Sequence, residues 1–175
     1  MGGRKKFECD WMLAIEKKAS NYLQTKWNCQ IAKLAEGSWT VDWCIYKDGK
    51  AVSFAEFRRR FNNHDTYRTY NVSGAKIMKL SDLARQFRFD NSLMVIQFND
   101  GLFYIPICQN FDGGRLVDFG RSNKRDMFDS DPSFEFSVNQ LKRVALGCVT
   151  DNLTDKPRGF DDACLAASIE DHVYG

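Results

Sequence analysis

Trp39-Thr40-Val41-Asp42-Trp43-Cys44-Ile45-Tyr46-Lys47-Asp48-Gly49-Lys50-Ala51-Val52-Ser53-Phe54-Ala55-Glu56-Phe57-Arg58-Arg59-Arg60 is the stretch on which the fold turns. Two runs rich in aromatic and β-branched residues flank an Asp-Gly pair, which predicts a β-hairpin. Each arm carries one acidic residue, Asp42 and Glu56, in strand sequence that disfavours charge. A three-residue loop, Lys47-Asp48-Gly49 with Gly49 left-handed, pairs Tyr46 with Lys50 and sets Asp42 opposite Phe54. Paired side chains share a face, so Asp42, Phe54, Glu56 and Arg58 then project to one side, with Glu56 diagonal to Asp42. A two-residue loop would instead pair Asp42 with Ala55 and send Glu56 to the other face, unless a bulge restored it. Turn chemistry favours the three-residue loop. Without a site, the two carboxylates would be the outward residues of a one-sided sheet.

Upstream, Trp11, Ala14, Ile15, Ala19, Tyr22 and Leu23 recur at spacings of three and four, predicting an amphipathic helix over 10–27 with Glu16, Lys17 and Lys18 around its edge. Downstream, a polar loop is expected from Asn62 to Asn71. A second helix follows, capped by Ser73, with Ile77, Leu80, Ala84 and Phe87 as its buried stripe. Leu93–Phe98 and Leu102–Ile107 form a second hairpin around Asn99-Asp100-Gly101, and Pro106 implies that the latter strand ends there or lies at an edge. Residues 109–131 read as a long loop carrying Arg121, Lys124 and Arg125, and Phe134–Val138 as one more strand. There are no internal repeats. The order helix, hairpin, helix, hairpin gives a mixed α/β (α+β) fold, a small central mixed sheet with two hairpins flanked by helices.

A chain of 175 residues is expected to make one domain, with its core over about residues 10–145 and a tail from about 151. With 43% apolar and 27% charged residues, the composition is that of a soluble globular protein and argues against a membrane protein. A net charge of +2 does not by itself point to nucleic acid. The six cysteines form no CxxC or CxxH and only two histidines accompany them, which argues against a zinc site; apolar settings such as those of Cys44 and Cys108 fit reduced thiols in the cytoplasm. No segment reads as a signal peptide or a membrane span.

Two carboxylates and a cation near the ends of neighbouring strands can hold a hard divalent metal against a phosphodiester. Asp42 and Glu56 are the candidate ligands. Arg58-Arg59-Arg60 runs from that strand into a loop holding His64, Tyr67, Arg68 and Tyr70, a pattern suited to gripping phosphates and stacking on unpaired bases. Alternation puts Arg58 and Arg60 on the site face and Arg59 on the other; equally, arginines at a strand end keep an edge soluble. Lys76, early in the second helix, is a further candidate phosphate contact or a solvated helix lysine. Arg121, Lys124 and Arg125 rank lower because aspartates dilute them. His64 and His172 read as surface residues outside any motif.

Glu16 on a helix, Asp42 on a strand, the Lys-Asp-Gly-Lys turn and then Ala55-Glu56-Phe57-Arg58 together resemble the PD-(D/E)XK nuclease superfamily, in particular small phage-type members with an Ala-Glu-x-Lys strand. The likeness in order of elements covers about residues 10–145 and implies a restriction-endonuclease-like core. It implies that Asp42 and Glu56 bind Mg²⁺ or Mn²⁺, that Glu16 completes the shell, and that the residue two beyond Glu56 activates water or stabilises developing charge. That residue is Arg58 where the family has lysine. Arginine stays protonated and offers a planar fork, so it can stabilise a pentacovalent phosphate but is ill suited to shuttle a proton. Lys76 could stand in for the missing lysine, and metal-bound water can supply the nucleophile without a lysine base. The resemblance therefore implies a metal-dependent nuclease acting on DNA. The rival reading is a catalytically degenerate fold that binds nucleic acid or a host enzyme as a regulatory or inhibitory phage protein. DNA, a host or phage protein and a second copy of the chain are the partners to consider, and a phage-encoded chain would work in the host cytoplasm.

Overall fold

The computed structural model describes residues 10–34, 41–111, 113–120 and 130–149. Helix α1 (Asp10–Trp27) is followed by strands β1 (Gln30–Lys33), β2 (Trp43–Lys47), β3 (Lys50–Arg59) and β4 (Thr69–Ser73). Then come helix α2 (Gly74–Phe87) and strands β5 (Asn91–Gln97), β6 (Gly101–Cys108), β7 (Arg115–Gly120), β8 (Ser130–Ser137) and β9 (Lys142–Leu146). One sheet has six strands in the order β1-β2-β3-β5-β6-β9, and a second has three in the order β4-β8-β7. The larger sheet is mixed: β3 and β5 run parallel, joined by a crossover through β4 and α2, while its other neighbours are antiparallel.

Side-chain alternation divides the core between the two faces of this sheet. Trp43, Ile45, Ala55, Phe57, Val95 and Leu102 pack with Ile15, Ala19 and Leu23 of α1. On the other face Cys44, Phe54, Met94, Ile96, Phe103 and Ile105 pack with Ile77, Leu80 and Leu83 of α2. Helix α2 also touches β4 and β8, so it lies between the two sheets. The mixed α/β class and the two expected hairpins stand as expected; the smaller sheet, β1 and β9 were not foreseen.

Several expectations need correction. Asn62–Asn71 is not all loop, since β4 begins at Thr69, and residues 109–131 contain β7. Both strands are short and polar, and they hold because β8 lies between them and pairs with each. Ser73 ends β4, and its side chain makes no cap hydrogen bond to α2. In α2 the buried stripe uses Leu83, while Phe87 is 46% exposed. Pro106 lies inside β6, but β9 pairs only with the part from Gly101 to Tyr104, so the strand is an edge at the proline. No described helix is long and apolar enough to cross a membrane. Cys29, Cys44 and Cys108 are free thiols. Trp39, Thr40, Arg121, Lys124, Arg125, His172 and the segment after residue 150 lie outside the described residues.

Gly74 opens α2 where the backbone of β8 comes closest: a Cβ there would stand 2.5 Å from the Pro132 carbonyl oxygen. Gly74→Ala must push the helix start away from the smaller sheet, at a cost of about 1–3 kcal/mol. Urea unfolding should show a lower midpoint, and an unchanged midpoint would mean that α2 is not held this closely.

Candidate active site

The hairpin turn settles where the carboxylates go. Asp48 and Gly49 have φ of 52° and 74°, and Lys47 pairs with Lys50, so the loop has two residues in a type I′ conformation. The expected pairing of Tyr46 with Lys50 is therefore wrong; Tyr46 pairs with Ala51. The alternation survives because the ladder shifts between Tyr46 and Ile45, where Ile45 pairs with Ser53 and Val52 is an extra residue on β3. Cys44 then faces Phe54 and Trp43 faces Ala55. The bulge moves the register by one more residue, and Glu56 returns to the face that a plain two-residue hairpin would have denied it.

Just beyond Trp43, Asp42 leaves the ladder. Its N–H donates to the Ala55 carbonyl at 3.1 Å, and its Oδ2 accepts from the Phe57 N–H at 2.8 Å. The side chain thus takes a backbone donor of β3 and is fixed beside Glu56. Glu56 is fully buried, in the row of β3 next to Met94 of β5. Its Oε1 lies 2.7 Å from the Arg58 guanidinium and 2.7 Å from Lys76 Nζ. Its Oε2 is buried and accepts no hydrogen bond among the described residues. Burial pushes the Glu56 carboxyl above its ordinary range; Arg58 and Lys76 oppose that shift, and Asp42 reinforces it.

Glu16 was expected at the rim of α1 and is instead buried. Trp43 Nε1 donates to its Oε1 at 2.7 Å and Lys33 Nζ to its Oε2 at 2.6 Å. Burial raises its pKa, hydrogen bonding from Lys33 lowers it, and the charge of Asp42 raises it again. Asp42 is therefore the electrostatic link between Glu16, reached from the α1 side, and Glu56, on the α2 side. Lys33 and the Trp43 indole are site residues that the sequence did not announce, because only the pairing of β1 with β2 brings them to Glu16.

The arginine run divides. Arg58 stays at Glu56. Arg59 is only 4% exposed: it donates to the Gln97 carbonyl at 3.1 Å, to Asn99 Oδ1 at 2.7 Å and to the Arg60 carbonyl, and it lies over the Phe61 ring. Arg60, also buried, donates to the Tyr70 hydroxyl at 2.9 Å and to the Asn71 carbonyl at 3.3 Å. The expectation that Arg59 and Arg60 offer their guanidiniums to a nucleic acid is corrected on that ground, since both are buried among carbonyls and rings. Arg68 and Tyr67 are exposed.

A divalent cation fits this donor set. Glu56 presents a buried carboxylate oxygen without a hydrogen-bond donor, next to a second carboxylate whose orientation is fixed by a backbone N–H, and hard oxygen donors suit Mg²⁺ and Mn²⁺.

Residues 3–144 match the family model described as "Phage putative PDDEXK endonuclease". Among solved structures the chain is similar to that of the Archaeoglobus fulgidus protein Hjc, a Holliday junction resolvase from an archaeal hyperthermophile. Identity is 12%, 82% of this chain and 98% of that one are covered, and the TM-score is 0.46. No curated protein matches the sequence.

Because the raised carboxyl belongs to an acid, the folded state binds its proton more tightly than the unfolded state, and stability falls as pH rises from the ordinary value of 4.5 through the folded value. Glu56→Gln carries no such charge. With a chelator present, its stability relative to the parent should climb from about pH 4 to pH 7. Urea midpoints across that range read the slope; a constant difference would contradict the buried, ionisable carboxylate.

Proposed function

The chain belongs to the phage PD-(D/E)XK endonuclease family, and from that membership we propose that it hydrolyses phosphodiester bonds of DNA with a divalent metal held by Asp42 and Glu56. The observation that carries this reading is the buried Glu56 carboxylate, with Arg58 and Lys76 both on Oε1 and no donor on Oε2. Burying an ionised carboxylate is costly, and two cations offset only part of that cost when the carboxyl is still pushed upward. An arrangement retained at such a cost is understandable if the carboxylate has work to do. When bound, the metal would supply a Lewis acid and a water of lowered pKa.

The chain's own residues then have separate tasks. Asp42 and Glu56 hold the ion. Glu16, bonded through both oxygens, adds negative charge close to Asp42 and orients the end of β2 through the Trp43 indole. Arg58 presents a fork that can bind two phosphate oxygens and stabilise the charge that builds on them. Lys76 brings an ammonium from α2 to the same carboxylate oxygen. Lys76, a compact cation held 2.7 Å from Glu56 Oε1, is suited to orient the attacking water, while the Arg58 fork suits the phosphate oxygens. Arg68, exposed beyond β3, is the remaining basic residue suited to a backbone phosphate.

Binding can be read apart from cleavage. Mg²⁺ should raise the melting temperature of the parent and leave Glu56→Gln unmoved; at about 100 times the dissociation constant the gain is about 2.7 kcal/mol. Equal shifts in both proteins would remove Glu56 from the metal site.

Cleavage is tested with single-stranded, double-stranded and branched DNA and with RNA, in Mg²⁺ or Mn²⁺. The parent should cut DNA, and Asp42→Asn and Glu56→Gln should not. Lys76→Met should lose roughly 10²-fold or more in rate, whereas Arg58→Lys should keep most of the activity. Tight DNA binding without cutting in either metal would favour the degenerate, regulatory reading that Arg58 raises. In that case activity appearing in Arg58→Lys would locate the loss at one position.

A further inference from the structure

At the other end of β3 a second group of ligands converges that the hairpin chemistry does not use. The segment after β3 supplies His64 and Asp65, and the tight turn between β5 and β6 supplies Asp100. One ligand atom from each lies within 4.8 Å of the others. His64 Nδ1 stands 2.5 Å from Asp100 Oδ2, and the His64 backbone N–H donates to Asp100 Oδ1 at 2.9 Å. The imidazole is stacked on Phe103, with centroids 4.7 Å apart, so its plane is fixed. The turn is fixed as well: Gln97 Nε2 donates to the Phe98 and Gly101 carbonyls, and Asn99 bonds through its backbone and side chain to the carbonyls of Asn62 and Phe61. Two rigid segments therefore present one imidazole and two carboxylates at a half-buried edge.

We infer that His64, Asp65 and Asp100 form a second divalent-metal site, distinct from Asp42 and Glu56, which takes a borderline ion of the Zn²⁺ kind. One imidazole can pair with only one of the two carboxylates at a time, and a dication balances both. Imidazole also separates this site chemically from the first, because nitrogen donors favour Zn²⁺ and its neighbours over Mg²⁺. Ligands at about 2.1 Å from a shared ion stand roughly 3 Å apart or more, so the ring and Asp100 must separate by about half an ångström to admit it. Asp65 is exposed, which leaves the remaining coordination positions to water. The bound ion would clip the loop that carries Tyr67 and Arg68 to the β5–β6 turn.

Co²⁺ serves as the spectroscopic probe, added to the Asp42→Asn/Glu56→Gln double variant so that the first site is silent. The inference expects about one equivalent to bind with visible d–d absorption and without the near-ultraviolet thiolate band that Cys29 or Cys108 would give, and expects Zn²⁺ to displace it. Adding His64→Gln or Asp100→Asn should abolish uptake, Asp65→Asn should weaken it about tenfold or more, and His172→Gln should leave it unchanged. Uptake that survives both His64→Gln and Asp100→Asn, a thiolate band, or no uptake at all overturns the site. If either of those variants loses its native circular dichroism, the exposed Asp65→Asn decides: unchanged affinity there rejects the inference.

Discussion

Val52 is one residue more than a regular hairpin needs, and the placement of Glu56 depends on it. A type I′ turn of two residues sets the first pairs of β2 and β3; continued without interruption, that ladder would turn Glu56 toward α1, on the face of Trp43. The bulge moves the ladder on by one residue and returns Glu56 to the α2 face. The same shift leaves Asp42 at the end of β2, level with the Phe57 N–H, which its carboxylate accepts. The meeting of Asp42 and Glu56 on one face therefore rests on a local irregularity of the strand rather than on its regular part.

Helix α2 completes the arrangement from above. It is bounded below by the six-stranded sheet and above by the three-stranded one, and its first residue must be glycine for the Pro132 backbone to come so near. That close approach sets the height of the helix, and so the distance over which Lys76 reaches Glu56. Arg58 arrives by a different route, along the strand itself, two residues beyond Glu56 and on the same face. A strand and a helix thus each supply one cation to one buried oxygen, and the two cations differ in shape: the guanidinium is a planar fork and the ammonium a compact point charge.

The three consecutive arginines show how little a basic run says about a binding surface. Strand alternation sends Arg58 and Arg60 to one face and Arg59 to the other, but burial decides their roles. Arg59 ties the end of β3 to the β5–β6 turn, and Arg60 ties it to β4 through Tyr70 and Asn71. Both hold the frame in which Arg58 is aimed. The same turn, through Asp100, holds His64, so the contacts from the far end of β3 to this turn join residues more than thirty positions apart.

Residue order alone determined the helix over 10–27, the two Asp-Gly hairpins and the mixed α/β class, and it singled out Asp42 and Glu56 as candidates but not their register, because periodicity is local and an acidic residue in an apolar strand is conspicuous. The likeness carried by Glu16, Asp42 and Ala55-Glu56-Phe57-Arg58 pointed to the family that the match over residues 3–144 establishes. Tertiary structure alone decided the rest. The bulge at Val52 answers to packing on both faces of the sheet and leaves no mark in composition; β1, β4, β7 and β9 are short, and pairing rather than propensity makes them strands. Whether an arginine faces solvent or a carbonyl, and whether Glu16 lies at the rim or beneath Lys33 and Trp43, depends on what the chain brings back from far along its length, which is information that local sequence does not hold.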